Sequence, residues 1–392
     1  MTSTKISILQ VGKYIYPEKG GIETITKTMF DYLQNEVIQN DVLCFKRKKG
    51  TQKTIYNGSS IIRCGTFFNI ASTPISIKFF AWFRKLRNNY DVVHIHHPNP
   101  LAAIALFFFP VKGKVVLHWH SDILTHEILY FLFSFFERKM LQRADLILGT
   151  SPTYIQHSPH LQAFHAKCKY LHCCTDESKF SINPARVEEI KRSYDNRKIV
   201  FSLGRFIYYK GFEYLIEAAS FLSDEYVVLI AGGGPLRDMY IDTIDRLKLF
   251  NKVFLIQDVS QEEIGNYFEA CDVFCLPSCQ KTEAFGIVLI EAMLFGKPIV
   301  STAVTGSGIT WVNANGITGF NVEPRNSHEL AEAIGRIFHE NLQDKFGENG
   351  RQRYKSKFSR EEFLMKYTEL IEHMFKVETA VIKQIASNAL SF

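Results

Sequence analysis

The sequence predicts an α/β protein with two doubly wound parallel sheets that face each other across a cleft. Short apolar runs alternate with longer helical patterns along the chain, and this alternation recurs in both halves. Such alternation gives parallel sheets with right-handed crossovers. The length of 392 residues is enough for two domains of ordinary size. Ligands of open parallel sheets bind beyond the carboxyl ends of the strands, so we expect functional motifs directly after strands.

The individual elements are predicted from apolar periodicity. In the first half, buried strands are expected at 6–11, 42–45, 92–96, 114–119 and 146–149, and helices at 22–34, 75–88, 101–109 and 128–141. In the second half, strands are expected at 198–203, 226–231, 253–256, 273–276 and 298–301, and helices at 211–221, 236–247, 262–270 and 285–295.

A polar stretch at 175–184 marks the predicted domain boundary. We therefore expect an N-terminal domain over residues 1–178 and a C-terminal domain over residues 179–358. A last helical pattern lies within 359–377, after the second domain is complete, and the tail at 378–392 has little pattern.

Charge is distributed unevenly between the two halves. Residues 1–180 hold 22 basic and 12 acidic side chains, a net charge of +10, whereas residues 181–392 hold 24 basic and 28 acidic ones, a net charge of −4. This asymmetry indicates two domains with different partners. A nucleic-acid partner is not expected, because no nucleic-acid-binding motif accompanies the basic half.

The composition also excludes several classes of protein. With 46% apolar and 22% charged residues, the chain has the balance of an ordinary globular protein. Its longest apolar stretches, 101–111 and 128–136, are shorter than the roughly 18–20 residues that span a bilayer. Without a signal-peptide pattern or a C-x-x-C motif, the eight cysteines are expected as reduced thiols of a cytoplasmic protein. Three of them recur every four residues without histidine at zinc-finger spacing, and we expect these to be buried structural thiols: Cys271, Cys275 and Cys279.

The first motif follows the strand predicted at 6–11. Gly20 and Gly21 precede a predicted helix, and glycines there let backbone N–H groups approach an anion closely. A plain strand-to-helix turn is the alternative interpretation. The pattern is not G-x-G-x-x-G, which disfavours a dinucleotide-binding site.

The second motif, H-W-H-S-D, follows the strand predicted at 114–119. His120 at the end of this strand can donate a hydrogen bond to a ligand or orient a reacting group, with Asp122 close by. A satisfied strand-end histidine is the alternative. A separate histidine cluster lacks a nearby carboxylate that would complete a metal site, so no metal is expected there: His94, His96 and His97.

The third motif follows the strand predicted at 198–203. Arg205 and Lys210 flank a short loop, and Gly211 ends the loop before a helix. Two cations beside a helix N-terminus suit a diphosphate, because the Arg fork and the Lys charge both bind oxyanions. A solvated loop is the alternative.

The fourth motif holds Glu283 before a predicted helix and Glu291 two turns along it, about 12 Å further along the axis. Free N–H groups at the helix start can bind phosphate, while the two carboxylates accept hydrogen bonds from hydroxyl groups. Glu291 follows an apolar run, where an unpaired carboxylate would be costly, which disfavours a simple surface helix. The residues of the helix start are Ala284, Phe285, Gly286 and Ile287.

Over nearly its whole length, the sequence resembles glycosyltransferase family 4, the retaining group 1 enzymes of the GT-B fold. The specific part of the resemblance is G-R-x4-K-G at 204–211, followed by E-x7-E at 283–291. The Gly-Gly loop, the H-x-H-S-D segment and an A-G-G-G-P turn at 231–235 occur at the expected places. The resemblance implies two Rossmann-like domains around a cleft and a helix at 359–377 that crosses back to the N-terminal domain.

The resemblance also implies roles for the residues of the C-terminal domain. Arg205 and Lys210 would hold the donor diphosphate and neutralise the leaving group, together with the helix start at 284–287. Glu283 would contact the transferred sugar, and Glu291 would contact the ribose of the donor nucleotide. The implied reaction transfers a hexose from a UDP- or GDP-sugar to a hydroxyl group with retention.

In the N-terminal domain, the resemblance implies that Gly20 and Gly21 admit the donor phosphates and that His120 lies beside the anomeric centre or the acceptor. The family works as a rule without a catalytic metal, and this chain has no D-x-D motif to clamp one. We therefore expect no metal and no other cofactor. Gln257 and Asp258 stand where the family often has glycine near the base, which leaves both UDP and GDP open.

The acceptor is expected on the basic N-terminal domain. The predicted helix around 75–87 combines aromatic residues with four basic ones, and such a face can lie on an anionic membrane surface. In that case the acceptor is lipid-linked, as in bacterial O-antigen or capsule synthesis, and the protein is peripheral on the inner face of the cytoplasmic membrane. Alternatively, the aromatic residues belong to the domain core and the charges are simply solvated. The basic residues are Lys78, Arg84, Lys85 and Arg87.

Other functions stay open from the sequence. A nucleotide-sugar 2-epimerase would need no acceptor, and a donor-binding scaffold would bind without turnover. The complete set of candidate donor contacts favours transfer over both. An NAD-dependent oxidoreductase is disfavoured, because the third glycine of the fingerprint is missing after Gly232 and Gly234.

Overall fold

The computed structural model describes residues 5–18, 20–33, 38–70, 73–123, 127–257 and 259–389. They form two α/β domains with a parallel sheet at the centre of each, which confirms the predicted fold class. Most strands are buried on both faces, as expected for apolar runs covered by crossover helices.

The N-terminal domain is organised around a mostly parallel sheet. Its strands are β1 (Ile6–Val11), β2 (Ile38–Lys46), β3 (Gln52–Tyr56), β4 (Ser59–Gly65), β5 (Phe68–Ile70), β6 (Thr73–Ile75), β7 (Val92–His97), β8 (Lys114–Trp119), β9 (Leu146–Gly149) and β10 (Cys168–Tyr170). Its helices are α1 (Gly21–Tyr32), α2 (Ile77–Leu86), α3 (Pro100–Phe108), α4 (Glu127–Arg143) and α5 (Pro152–His157). The order of the eight-stranded sheet is β10-β9-β8-β7-β1-β2-β4-β3. Within the described part of this sheet, only β3 runs antiparallel to its neighbour. The strands β5 and β6 form a separate pair.

The C-terminal domain has a parallel six-stranded sheet in the order β13-β12-β11-β14-β15-β16. These strands are β11 (Lys198–Leu203), β12 (Tyr226–Ala231), β13 (Val253–Ile256), β14 (Val273–Leu276), β15 (Ile299–Thr302) and β16 (Gly319–Val322). The helices are α6 (Pro184–Ser193), α7 (Phe212–Ala219), α8 (Arg237–Arg246), α9 (Gln261–Ala270), α10 (Ile287–Leu294), α11 (Ile309–Val312), α12 (Ser327–His339), α13 (Gln343–Arg353) and α14 (Arg360–Ala389).

The strand order reverses between β1 and β7 in the first sheet and between β11 and β14 in the second. Loops after neighbouring strands diverge at such a switch point and leave a crevice for ligands. The sequence motifs lie on the loops after β1, β8, β11 and β14. The topology therefore gathers all four motifs around the two switch points.

The last helix joins the two domains. Phe363, Tyr367 and Ile371 of α14 are buried in one hydrophobic cluster with Ile25 and Met29 of α1. The hydroxyl of Tyr367 also lies 2.8 Å from His94 Nδ1 on β7. The helix continues to Ala389, through most of the tail in which the sequence has little pattern.

The helix α2 corrects the hypothesis of an aromatic membrane face. Phe79 and Phe83 are fully buried, and Phe80 and Trp82 pack against the same core. The helical period places these rings on one face of α2. That face packs on the sheet, where Phe45 stacks on Phe79 with 4.5 Å between the ring centroids.

The four basic residues of that hypothesis have different surroundings. Lys78, Arg84 and Lys85 are exposed, and the Lys85 ammonium lies 4.9 Å from the Trp82 ring. Arg87 instead donates to the carbonyl of Pro110 at 3.0 Å, which ties α2 to the loop after α3. The aromatic half of the predicted membrane face is therefore domain core. In the part of the chain that the structure describes, no helix has the length and apolar character needed to cross a membrane.

Candidate active site

The starts of α1 and α10 face each other across the cleft between the two domains. A Cβ atom added to Gly21 would lie 3.0 Å from Ile287 Cδ1 across the cleft, so glycine at this position leaves room for the Ile287 side chain. Gly20 precedes the helix in an extended conformation. Sequence analysis placed both glycines and Ile287 at a donor site, and the structure brings them to one place.

The loop after β11 carries the two predicted cations. Lys210 is buried, and its Nζ lies 2.5 Å from Glu283 Oε2, a residue of the loop after β14. Gly211 is left-handed, and a Cβ there would lie 2.3 Å from the carbonyl oxygen of Pro277. Glycine at this position therefore lets the two loops pack together. Arg205 is exposed and lies 3.5 Å from the Tyr209 hydroxyl, so its guanidinium is available to a ligand.

The start of α10 has no side-chain cap. Gly286 takes the N-cap position in a left-handed conformation, and its carbonyl accepts from Leu289 N at 2.9 Å. The N–H groups of Ile287 and Val288 in the first turn are left to a ligand or water. The rings of Phe285 and Trp311 are in contact, so only the backbone of Phe285 can serve a ligand. The carbonyl of Ala284 accepts from Gly308 N at 2.8 Å, which fixes the loop.

Glu291 is buried on α10, and its charge is compensated. Lys179 forms an ion pair with Oε1, and Thr175 Oγ1 donates to the same oxygen at 3.3 Å. Both residues belong to the segment between the domains, which sequence analysis treated only as a boundary. The second carboxylate oxygen makes neither contact and is left for another partner.

His120 lies at the end of a hydrogen-bonded relay. Its Nε2 is 3.0 Å from His96 Nδ1, and His96 Nε2 is 2.9 Å from Gln10 Oε1. The amide of Gln10 donates to Asn40 Oδ1, and Asn40 in turn donates to the carbonyl of Met29.

The relay fixes the protonation of His120. The carbonyl of Met29 can only accept a hydrogen bond, so the Asn40 amide donates to it and the Gln10 amide donates to Asn40. The remaining Gln10 atom, Oε1, must then accept from His96 Nε2. His96 Nδ1 then accepts from His120 Nε2, which leaves His120 Nδ1 as an acceptor. Burial lowers the pKa of His120 to about 3, so the ring is neutral at physiological pH. His120 therefore offers an acceptor to a hydroxyl group in the cleft.

The neighbouring histidines divide between the two faces of the sheet. His94, His96 and His118 have ring nitrogens within 4.8 Å of one another, a set that could hold a metal ion. His96 already uses both nitrogens in the relay, so a metal would have to break one of those bonds. His97 faces the other way, where it stacks on Trp119 at 3.7 Å. The cysteine series noted in the sequence consists of buried free thiols.

Asp122 forms an ion pair between the domains. Its Oδ2 accepts from Lys281 Nζ at 2.8 Å, and Lys281 also donates to the carbonyl of His157 at 2.9 Å. Trp119 and Ser158 donate to the other carboxylate oxygen. Burial alone would raise the pKa of Asp122, but the hydrogen bonds from Lys281, Ser158 and Trp119 outweigh burial and lower it. Asp122 is therefore an ionised structural partner.

The roles of Lys281, Glu23 and Lys13 at this site were missed from the sequence, as were those of Thr175 and Lys179. Lys281 begins the fourth motif, but its partner lies 159 positions away in the chain. Glu23 and Lys13 lie close enough to Arg205 to interact with its charge. Burial has the largest effect on both side chains, since it raises the pKa of Glu23 and lowers the pKa of Lys13. A cavity of about 530 Å³ adjoins Lys281 and Arg325 at the same edge of the C-terminal sheet.

Replacing Lys281 with Met should destabilise the protein at neutral pH by about 2–3 kcal/mol, because Asp122 would remain buried without its cation. The folded-state pKa of Asp122 is lowered, so the stabilisation is complete at neutral pH and is lost as the pH falls below about 4. We expect the melting temperatures of wild type and Lys281→Met to converge at acid pH. Lys345→Met, at an exposed position, is the matched control. A constant difference across the pH range would contradict this assignment.

Comparison with known proteins gives the family of the chain. Residues 185–353 match the family described as glycosyl transferases group 1, and residues 19–179 match glycosyltransferase family 4. The chain is 28% identical over 365 residues to O-antigen chain mannosyltransferase C of Escherichia coli, covering 93% of this chain and 97% of the relative. It is 28% identical over 349 residues to D-rhamnosyltransferase WbpZ of Pseudomonas aeruginosa, covering 88% and 90% of the two chains.

Solved structures support the fold. Sucrose-phosphate synthase of Thermosynechococcus elongatus superposes with a TM-score of 0.79 at 20% identity, covering 95% of this chain and 100% of the other. HepE of Anabaena, solved in complex with UDP, gives a TM-score of 0.73 at 20% identity, covering 94% and 100%. The two family matches together span most of the chain, which is thus a member of glycosyltransferase family 4, of the group 1 type, with the GT-B fold.

Proposed function

We propose that this glycosyltransferase transfers a hexose from a UDP- or GDP-sugar to a hydroxyl group of a lipid-linked glycan, with retention and without a metal. One observation carries the proposal: the Lys210–Glu283 pair joins the loop after β11, which also carries the exposed Arg205, to the loop before the uncapped start of α10, and Glu291 lies two turns along that helix. This arrangement offers cations and N–H groups to a diphosphate and carboxylates to hydroxyl groups on either side.

The donor would bind along α10. Arg205, Lys210 and the first N–H groups of the helix would hold the diphosphate. The free oxygen of Glu291 would accept from the ribose, while Lys179 keeps the other oxygen compensated. Glu283 would accept from hydroxyl groups of the transferred sugar.

The reaction would proceed without an enzymic nucleophile. As the bond between the anomeric carbon and the phosphate oxygen breaks, negative charge develops on the diphosphate, where the cations and the helix start stabilise it. The acceptor oxygen would bond to the anomeric carbon on the same face, and its proton would pass to the leaving phosphate oxygen. Glu283 is ion-paired with Lys210, which favours a binding role over nucleophilic attack. His120 Nδ1 would accept from a hydroxyl group of the sugar or the acceptor.

The relatives support a place in surface-polysaccharide synthesis, since two of them are named as an O-antigen chain mannosyltransferase and a D-rhamnosyltransferase. Their names differ in the sugar, so the hexose stays unassigned. Structural neighbours were solved with UDP, while Gln257 follows β13 here and Asp258 lies outside the described residues. We therefore keep both UDP and GDP as candidate bases.

Nucleotide binding should depend on Glu291. A matching nucleoside diphosphate at about 100 times its Kd should add roughly 2.7 kcal/mol of stability, and Glu291→Ala should abolish this shift. The measurement is a thermal-shift panel of UDP, GDP, ADP and NAD. Glu332→Ala, exposed on α12, is the matched control. A rise in melting temperature with NAD alone, or the same rise in Glu291→Ala as in wild type, would contradict this donor site.

Turnover should depend on Arg205. Because its guanidinium is exposed, Arg205→Met should leave the melting temperature unchanged and lower kcat about 100- to 1000-fold, as the leaving diphosphate loses a preorganised cation. The readout is release of the nucleoside diphosphate in the presence of a lipid-linked acceptor extract. Arg246→Met, exposed on α8, should retain full activity. Equal rates in the two variants would refute the role of Arg205.

A further inference from the structure

Four phenylalanines are exposed together on α3 and α4. Phe107, Phe108, Phe131 and Phe135 have 40%, 61%, 78% and 51% of their surface accessible. The ring of Phe107 lies 5.2 Å from that of Phe108 and 5.4 Å from that of Phe135. Phe131 is one helical turn before Phe135 and shares its face. Phe is normally buried, so a contiguous exposed group, here called the aromatic patch, indicates a binding surface.

The exposed charges described on α3 and α4 around the aromatic patch are positive. Lys139 lies 5.7 Å from the Phe135 ring, Arg138 is exposed one turn after Phe135 on α4, and Arg84 lies 5.9 Å from the ring of Phe109, the residue after Phe108. Among the side chains described between 100 and 143, the acidic ones are Asp122 and Glu137, and both are buried. The described surface of α3 and α4 therefore combines apolar rings with a basic rim.

We propose that the aromatic patch docks on an anionic phospholipid bilayer. The rings would enter the interfacial region, and the basic rim would meet lipid phosphates and other anionic headgroups. This inference deepens the proposed function, on which its link to a lipid-linked acceptor rests. The docking face thus lies on α3 and α4, instead of on the aromatic side of α2.

Charge complementarity favours a bilayer over a second copy of the chain. A two-fold dimer through the aromatic patch would place its basic rim against the same rim of the other copy, and like charges would repel. An anionic bilayer instead presents negative charge to the whole rim.

The position of α4 connects the docking face with the cleft. On its inner side, Glu137 contacts His160 at 2.9 Å and His97 at 3.5 Å, and His97 stacks on Trp119. Trp119 in turn donates to Asp122, the partner of Lys281. Docking through the outer side of α4 would therefore hold the mouth of the cleft next to the bilayer surface.

The test is sedimentation of the full chain with vesicles of phosphatidylglycerol and phosphatidylcholine, compared with phosphatidylcholine alone. Wild type should sediment with the anionic vesicles, and less so at high salt. Phe108→Ser and Phe131→Ser should each lower partitioning about tenfold, since each removes a buried ring from the interface. Phe250→Ser, with 60% of its surface exposed in the C-terminal domain, is the matched control and should bind like wild type. Arg138→Glu with Lys139→Glu should also weaken binding.

Two outcomes would overturn the proposal. One is wild type that stays in the supernatant, or patch variants that bind as well as Phe250→Ser. The other is a patch variant that loses a dimer in light scattering while its vesicle binding is unchanged, which would assign the patch to a second copy. Nucleotide-induced stabilisation, measured in the same preparations, separates this test from the proposed function. The nucleotide-induced stabilisation should persist in every patch variant. If it is absent while vesicle binding still depends on the patch, the result would refute donor binding and leave the docking proposal intact.

Discussion

The ion pair between Lys281 and Asp122 joins the carboxyl edges of the two sheets, and the geometry of the cleft depends on it. Trp119 and Ser158 donate hydrogen bonds to Asp122, so contacts within the N-terminal domain position the carboxylate that Lys281 binds. Lys281 stands two residues before Glu283 in the same loop. Holding Lys281 therefore also fixes the loop that carries the fourth motif relative to β8, which His120 directly follows.

Two lysine–glutamate ion pairs lie at the candidate donor site. Lys210 is bound to Glu283 and Lys179 to Glu291, each pair largely buried. Burial of single charges would be costly, so the pairs allow a polar site within an apolar cleft. Arg205 differs because it is exposed, and it supplies a cation that a ligand can recruit. The site is thus preorganised, which is the condition for effective electrostatic stabilisation of a leaving group.

The fold was predictable because both sheets are parallel and buried, and such strands read as continuous apolar runs. Each predicted strand is present, with 42–45 inside the longer β2 and 298–301 shifted by one residue. The pattern missed β3, which is exposed along its whole length and therefore lacks an apolar run. It also missed β16, whose sequence G-F-N-V is not a continuous apolar run, together with β4, β5, β6 and β10.

The candidate site was predictable only in part. Loops after strands identified Gly21, Arg205 and Glu283, because the topology of parallel sheets brings such loops together. The partners Lys179 and Lys281 were not predictable, since their contacts span more than 100 positions in the chain. Periodicity placed the rings of α2 on one face, but only the sheet beneath determines whether that face is core or surface.

Product analysis by NMR tests the central claim most directly. The protein would be incubated with the UDP- or GDP-hexose that stabilises it, with and without a lipid-linked acceptor, in the presence of a metal chelator. We predict release of the nucleoside diphosphate only with the acceptor, and a new glycosidic bond with the anomeric configuration of the donor. An epimerised sugar without acceptor, an inverted linkage, or activity abolished by the chelator would contradict the account.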